Sequence, residues 1–134
     1  MKLAQPAAWF RAAAQRLDAA KLLFQHSMYI DAAYLGGYVV ECSIKGHILG
    51  RVPMRRRQQY IQSQFRGKKA HDFEHLWQIS RNQGVSIPVR IVEHVRWSAW
   101  STDLRYAAGL GDREEAAEVI KAGEVVLKWA RNNA

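Results

Sequence analysis

Cysteine occurs once in the 134 residues. A single thiol excludes an intrachain disulfide framework and a Cys-built zinc finger, and it points to a reducing, cytoplasmic setting. Proline occurs three times, and no low-complexity linker or internal repeat divides the chain, so residues 1–134 are expected to form a single domain. No apolar run approaches the roughly 20 residues of a membrane span, and no membrane association is expected. The opening MKLAQPAAWFRAAAQRLDAA carries Arg11, Arg16 and Asp18 where a secretory segment would be apolar. Sustained two-residue alternation, the mark of a half-buried strand, is missing. Missing too are a glycine-rich phosphate loop, HExxH and GxSxG.

Negative charge is locally absent as well. Between Cys42 and His71 there is no Asp or Glu, yet there are eight cations: Lys45, Arg51, Arg55, Arg56, Arg57, Arg66, Lys68 and Lys69. The rest of the chain holds twelve basic and twelve acidic residues, so the whole net charge of +8 resides in this stretch. A field concentrated in this way draws anionic partners and speeds their association. Five of the eight are Arg, whose planar donors match phosphate bidentately. The plainer reading of such a run is a solvated face that aids solubility.

What the chain has in plenty is helical patterning, with hydrophobic residues at 49%, ample for a packed core. Residues 6–25 place Trp9, Phe10, Ala13, Leu17, Ala20 and Phe24 on one stripe, with Pro6 acceptable in the first turn. Asp31 is expected to cap a second helix running to about Leu49 and ending near Gly50. That helix is apolar almost all round from Ala32 to Val40 and should lie centrally. Gly36 and Gly37 within it cost roughly 1 kcal/mol each against Ala, which calls for the close approach of a neighbouring helix or a partner chain. A short helix is expected over Arg55–Phe65. Another should open at His71-Asp72, burying Phe73, Leu76, Trp77 and Ser80, with Gly84 as its stop. Pro88 begins the next, with Ile91, Val92 and Val95 on one stripe. Asp112 and Glu115 form a D-x-x-E start for the last helix. The fold class is all-α, an antiparallel bundle of four to five helices.

Few residues suggest chemistry. Glu41 and Lys45 stand four apart in the favourable order, a pair contributing roughly 0.2–0.5 kcal/mol on a surface. In this apolar context they read as a partly buried structural ion pair. His71 and His75, four apart on a helix, have metal-ligand spacing but no third ligand, so no metal or other cofactor is expected. Cys42 reads as a small buried hydrophobe. Arg66 and His71 fit R-x4-H, which could serve a ribonuclease as transition-state clamp and general base, although Gly67 between them argues against a shared rigid helix. Arg105-Tyr106 follows the aromatic pair Trp97 and Trp100, where an Arg can stack on a base, hold a phosphate or brace the turn.

These pieces, AAAQRLDAAKLLF, DAAYLGGYVVECSIKGHIL with its Glu41/Lys45 pair, HDFEHL, DLRYAAG and EEAAEVIKAGEVVLKWA, resemble in order and spacing the HEPN family, the higher eukaryote and prokaryote nucleotide-binding domains. The resemblance implies an all-α bundle that pairs into a homodimer. It also implies ribonucleases of toxin–antitoxin or defence systems, often with a companion nucleotidyltransferase. The family's R-x4–6-H motif lies late in the bundle, where Arg105 corresponds to the Arg, but Leu110, Gly111 and Asp112 stand where the His should be. The expected function is therefore a non-catalytic module holding RNA or nucleotide phosphates through Arg51, Arg55, Arg56, Arg57, Arg66, Lys68 and Lys69, with Arg105 assisting. Two alternatives remain: an interaction subunit for a companion nucleotidyltransferase, or a ribonuclease with a displaced Arg66/His71 pair.

Overall fold

The computed structural model describes residues 4–97 and 111–134, without the side chains of 94–97. These residues form six α-helices: α1 (Pro6–Gln25), α2 (Tyr29–Leu49), α3 (Arg57–Gln64), α4 (Phe73–Asn82), α5 (Val89–Trp97) and α6 (Arg113–Asn132). Two short 3-10 turns, Met54–Arg56 and Lys68–His71, flank α3. The bundle anticipated from periodicity is present, with α3 and the turns around it forming an arm.

α2 is the centre. Every residue from Val39 to Leu49 is buried, so the helix is covered on all sides, as its continuous apolar sequence demands. α1 packs against it with the opposite sense, since Trp9 and Phe10, early in α1, close on Gly46 near the end of α2. α6 instead runs parallel to α2: Gly36 meets Val119, Val39 meets Gly123, and the His47 ring lies 4.5 Å from that of Trp129. α1 is thus antiparallel to both neighbours, whereas α2 and α6 run side by side. The intervening α3 to α5 segment makes that return possible.

Glycine sets the spacing of this parallel pair. A Cβ on Gly36 would lie 3.0 Å from Val119 Cγ1, and one on Gly123 3.0 Å from Val39 Cβ and 3.2 Å from the Gly36 carbonyl oxygen. The neighbour that justifies Gly36 is therefore a helix of its own chain.

Helix ends follow the sequence in two places and depart from it in one. Asp72 caps α4 by accepting from Glu74 N at 3.0 Å, and Asp112 caps α6 by accepting from Glu114 N at 2.8 Å. α2, however, starts at Tyr29 with Met28 in the cap position and no side-chain cap. Asp31 consequently sits in the first turn, where its charge faces the positive end of the helix dipole. The helix begins early because Ser27 takes a left-handed conformation, φ 60°, and turns the chain sharply out of α1. In α4 the buried set is Leu76, Ile79 and Ser80, and the larger Phe73 and Trp77 are half-buried. Trp100, Arg105 and Tyr106 lie outside the described residues, as do the side chains of Val95 and Trp97.

Candidate functional site

The arm between α2 and α4 is laid onto the bundle by a few apolar anchors. Val52, Ile61, Phe65 and Ala70 are buried, and Phe65 meets Trp9 of α1 edge-on at 5.6 Å. Between the anchors the chain turns outward. Arg51, Arg55, Arg56, Arg66, Lys68 and Lys69 are all exposed. None of these six has a carboxylate within ion-pair distance among the described residues. Burying the anchors while leaving the cations in water avoids the cost of desolvating charge. It also leaves their donors available.

Arg57 differs from its neighbours. It is half-buried, and its Nε donates to the Val52 carbonyl at 2.9 Å while Nη1 donates to the Ala4 carbonyl at 3.3 Å. The guanidinium therefore braces the base of the arm against the segment leading into α1.

Lys45, the eighth cation, faces inward and is tied to the arm by a buried polar relay. Its Nζ donates to Glu41 Oε2 at 2.8 Å, and the ammonium lies 5.4 Å from the Phe65 ring centre and 5.7 Å from that of Trp9. The ion pair expected from spacing alone is present, with both side chains more than nine-tenths buried. The other carboxylate oxygen, Oε1, accepts from His71 Nδ1 at 2.8 Å. Tyr38 packs edge-on against the His71 ring at 5.8 Å, and its hydroxyl lies 3.1 Å from that of Tyr34.

The His71 contact is absent from the spacing argument, and a signal for it exists. A buried carboxylate has two oxygens to satisfy, and Lys45 satisfies one. A third polar group had to come from elsewhere in the chain. The sequence instead suggests His71 and His75 on one helix face, and the structure separates them. His71 ends the 3-10 turn ahead of the Asp72 cap, and His75 sits within α4 with Nε2 3.2 Å from the Gln64 carbonyl. No group of three His, Cys, Asp or Glu among the described residues could hold a metal ion. Arg66 and His71 likewise share no helix, since Gly67 breaks the chain between them at φ 80°.

Cys42 lies beside the relay and is buried. Burial, and then the Glu41 charge, push its thiol up to about 11, so it is an inert filler at neutral pH.

The result is a small helical module with a cationic arm pinned to its central helix by a Lys–Glu–His relay. The HEPN domain family profile matches residues 7–133, nearly the whole chain, and the protein belongs to that family. No curated protein and no solved structure matches it. Among the described residues, no helix is long and apolar enough to cross a membrane.

Proposed function

We propose that this HEPN domain binds RNA or nucleotide phosphates through residues 51–69 without catalysing a reaction, and that it works as a homodimer. The observation that carries this reading is the set of six exposed cations with no carboxylate partner among the described residues, on an arm anchored by apolar side chains. Backbone phosphates are the polyanion that such a surface meets best, and each phosphate neutralised releases counterions. For single-stranded RNA, the logarithm of affinity should fall with the logarithm of salt, by about 0.7 per phosphate contact. Replacing Arg55 and Arg56 together with Ala should flatten that slope by about one contact or more; an unchanged slope dismisses both as contacts. Arg57 is left out of the test because its guanidinium already serves two carbonyls.

The dimer rests on the family's habit alone, since Gly36 is accounted for inside the chain. Light scattering of the purified protein at micromolar concentration should give twice the monomer mass; a monomer mass removes this part of the reading. Docking of an acidic companion such as a nucleotidyltransferase would use the same cations. Co-purification with a neighbouring gene product, together with no affinity for RNA, would favour it.

One observation favours the ribonuclease alternative. Glu41 holds the half-exposed His71 imidazole at a fixed orientation, the arrangement that prepares a general base. Purified protein that cleaves single-stranded RNA, with cleavage abolished in His71→Ala, would establish it. Uncut RNA with the wild type ends it.

A further inference from the structure

The antiparallel helices α1 and α6 both lie on α2, and on the outside they face each other across a furrow. One ion pair spans it: Lys21 Nζ stands 3.5 Å from Glu124 Oε1, with both side chains close to half exposed. At that distance and exposure the pair contributes little to stability. It divides the furrow into two open cavities. The one toward the end of α1, about 380 Å³, is lined by Phe24, Ala117, Ile120 and Lys121 among others. The other, about 310 Å³, is lined by Leu17, Leu127, Lys128 and Arg131 among others.

The apolar lining repeats along the furrow. Leu17 and Phe24 are seven positions apart on α1, and Ile120 and Leu127 seven apart on α6, so each cavity receives one side chain from each helix. Seven residues of helix advance about 10.5 Å. A third helix laid lengthwise would return apolar side chains to one face at the same interval. The first cavity is also preformed. Tyr29 meets the Phe24 ring edge-on at 5.4 Å, and the Arg113 guanidinium lies 5.1 Å from the ring centre. A ring held from two sides needs no rearrangement before a ligand enters.

Charge along the furrow is one-sided. Lys21, Lys121, Lys128 and Arg131 line the two cavities against a single carboxylate, that of Glu124, which Lys21 already faces. Lys121, Lys128 and Arg131 are exposed, and none has a carboxylate within ion-pair distance among the described residues. A second copy laid in by the same face would set these cations against each other, which opposes association. A nucleic-acid backbone would meet the rim and leave the apolar lining wet.

We propose that the α1–α6 furrow is the docking site for an acidic amphipathic helix of a partner protein. Its apolar side chains, seven residues apart, enter the two cavities, and Asp or Glu beside them meets Lys121, Lys128 and Arg131. Apolar burial supplies the affinity, and the cations select the charge of the partner. None of the six exposed arm cations lines either cavity, so the inference does not rest on the reading of the arm.

Fluorescence anisotropy on the full chain would use a labelled helical peptide of about 18 residues, long enough to reach both cavities. It carries Leu on one face at heptad spacing and Glu on the flanks. Two controls accompany it, one with Lys in place of Glu and one with the acidic sequence scrambled. The acidic amphipathic peptide should bind saturably, and both controls at least about tenfold more weakly. Lys121→Glu with Lys128→Glu, at two exposed sites, should weaken binding about tenfold or more through charge, and Ala117→Gln about tenfold by filling the first cavity without changing charge. Arg55→Ala with Arg56→Ala should leave it unchanged. The proposal is overturned if the acidic peptide does not bind at submillimolar concentration, or if either control binds equally well. It is equally overturned if either furrow variant, with its helical circular dichroism retained, binds like the wild type. A dimer in light scattering that Lys121→Glu with Lys128→Glu dissociates would give the face to a second copy and end the proposal. Single-stranded RNA that displaces the peptide and loses affinity in the same variant would give it to nucleic acid, with the same consequence.

Discussion

Glu41 Oε1 and His71 Nδ1 stand 2.8 Å apart although thirty positions separate them in the chain. One belongs to the buried centre of α2, the other to the last residue of an exposed turn that carries Lys68 and Lys69. Through Glu41, the same carboxylate that neutralises Lys45 also fixes where the arm rejoins the bundle. Stability and the presentation of the cationic surface are therefore linked through one side chain.

Breaking the relay from one side should be costly. Glu41→Leu leaves the Lys45 ammonium buried without a counter-charge, and Lys45→Met leaves the buried carboxylate with the His71 hydrogen bond alone; the first should lose about 3–5 kcal/mol and the second less. Glu41→Leu combined with Lys45→Met removes both charges and should recover most of that loss. Urea unfolding of the three variants checks it, and a double variant as unstable as the sum of the singles would show that packing rather than charge dominates.

Acid should weaken the fold through His47. Burial first, and then the Arg51 charge, lower its imidazole below the ordinary 6.5, so the folded state favours the neutral ring. Below pH 6.5 the unfolded chain binds a proton that the folded chain resists, so stability falls as pH drops from there through the folded value. Above 6.5 the ring is neutral in both states and the contribution is fully present. Thermal melting across this range should show a shallower acid slope for His47→Phe, which keeps an aromatic ring against Trp129.

Cys42 should resist modification until the bundle opens. With its thiol at about 11 rather than 9.0, at pH 8 it presents roughly a hundredfold fewer thiolates than an ordinary cysteine, and burial blocks access as well. Iodoacetamide labelling followed by mass spectrometry should show little reaction in the native protein and rapid reaction in denaturant. Native labelling at the rate of a free thiol would contradict the burial.

The parallel contact of α2 and α6 should not tolerate one added methyl group. Gly123→Ala gains about 1 kcal/mol of helix propensity. The new Cβ, however, would press on Val39 Cβ and on the Gly36 carbonyl oxygen, neither of which is the free end of a flexible side chain. Overpacking of about 1–3 kcal/mol should win, giving a net loss in urea unfolding.

Much of this could be read from the residues in order. The helical patterning of four to five stretches, and the cap residues Asp72 and Asp112, mark helices because local hydrogen bonding and burial act over a few positions. The lopsided charge is equally plain, for no acid interrupts 42–71. The family resemblance follows from the same helices and the Glu41/Lys45 spacing.

Other features depend on what the chain brings together. Arg57 has the same sequence context as Arg55 and Arg56, yet of the three it is the one that donates to two carbonyls, those of Val52 and Ala4. His71 was paired by spacing with His75, and tertiary packing paired it with Glu41 instead. His47 attracted no attention on an apolar helix; it matters because α6 and the start of α1 enclose it.

Sequence by itself determined that this chain is a helical bundle with a buried ion pair and a single cationic stretch, since these follow from short-range periodicity and from counting charge. Tertiary structure alone decided that α2 and α6 run parallel, that the second oxygen of Glu41 goes to His71, and that Pro6, Arg57 and Asn133 line one cavity. Each of those relations joins segments distant in the chain, and a buried polar atom takes whichever partner the packing places beside it.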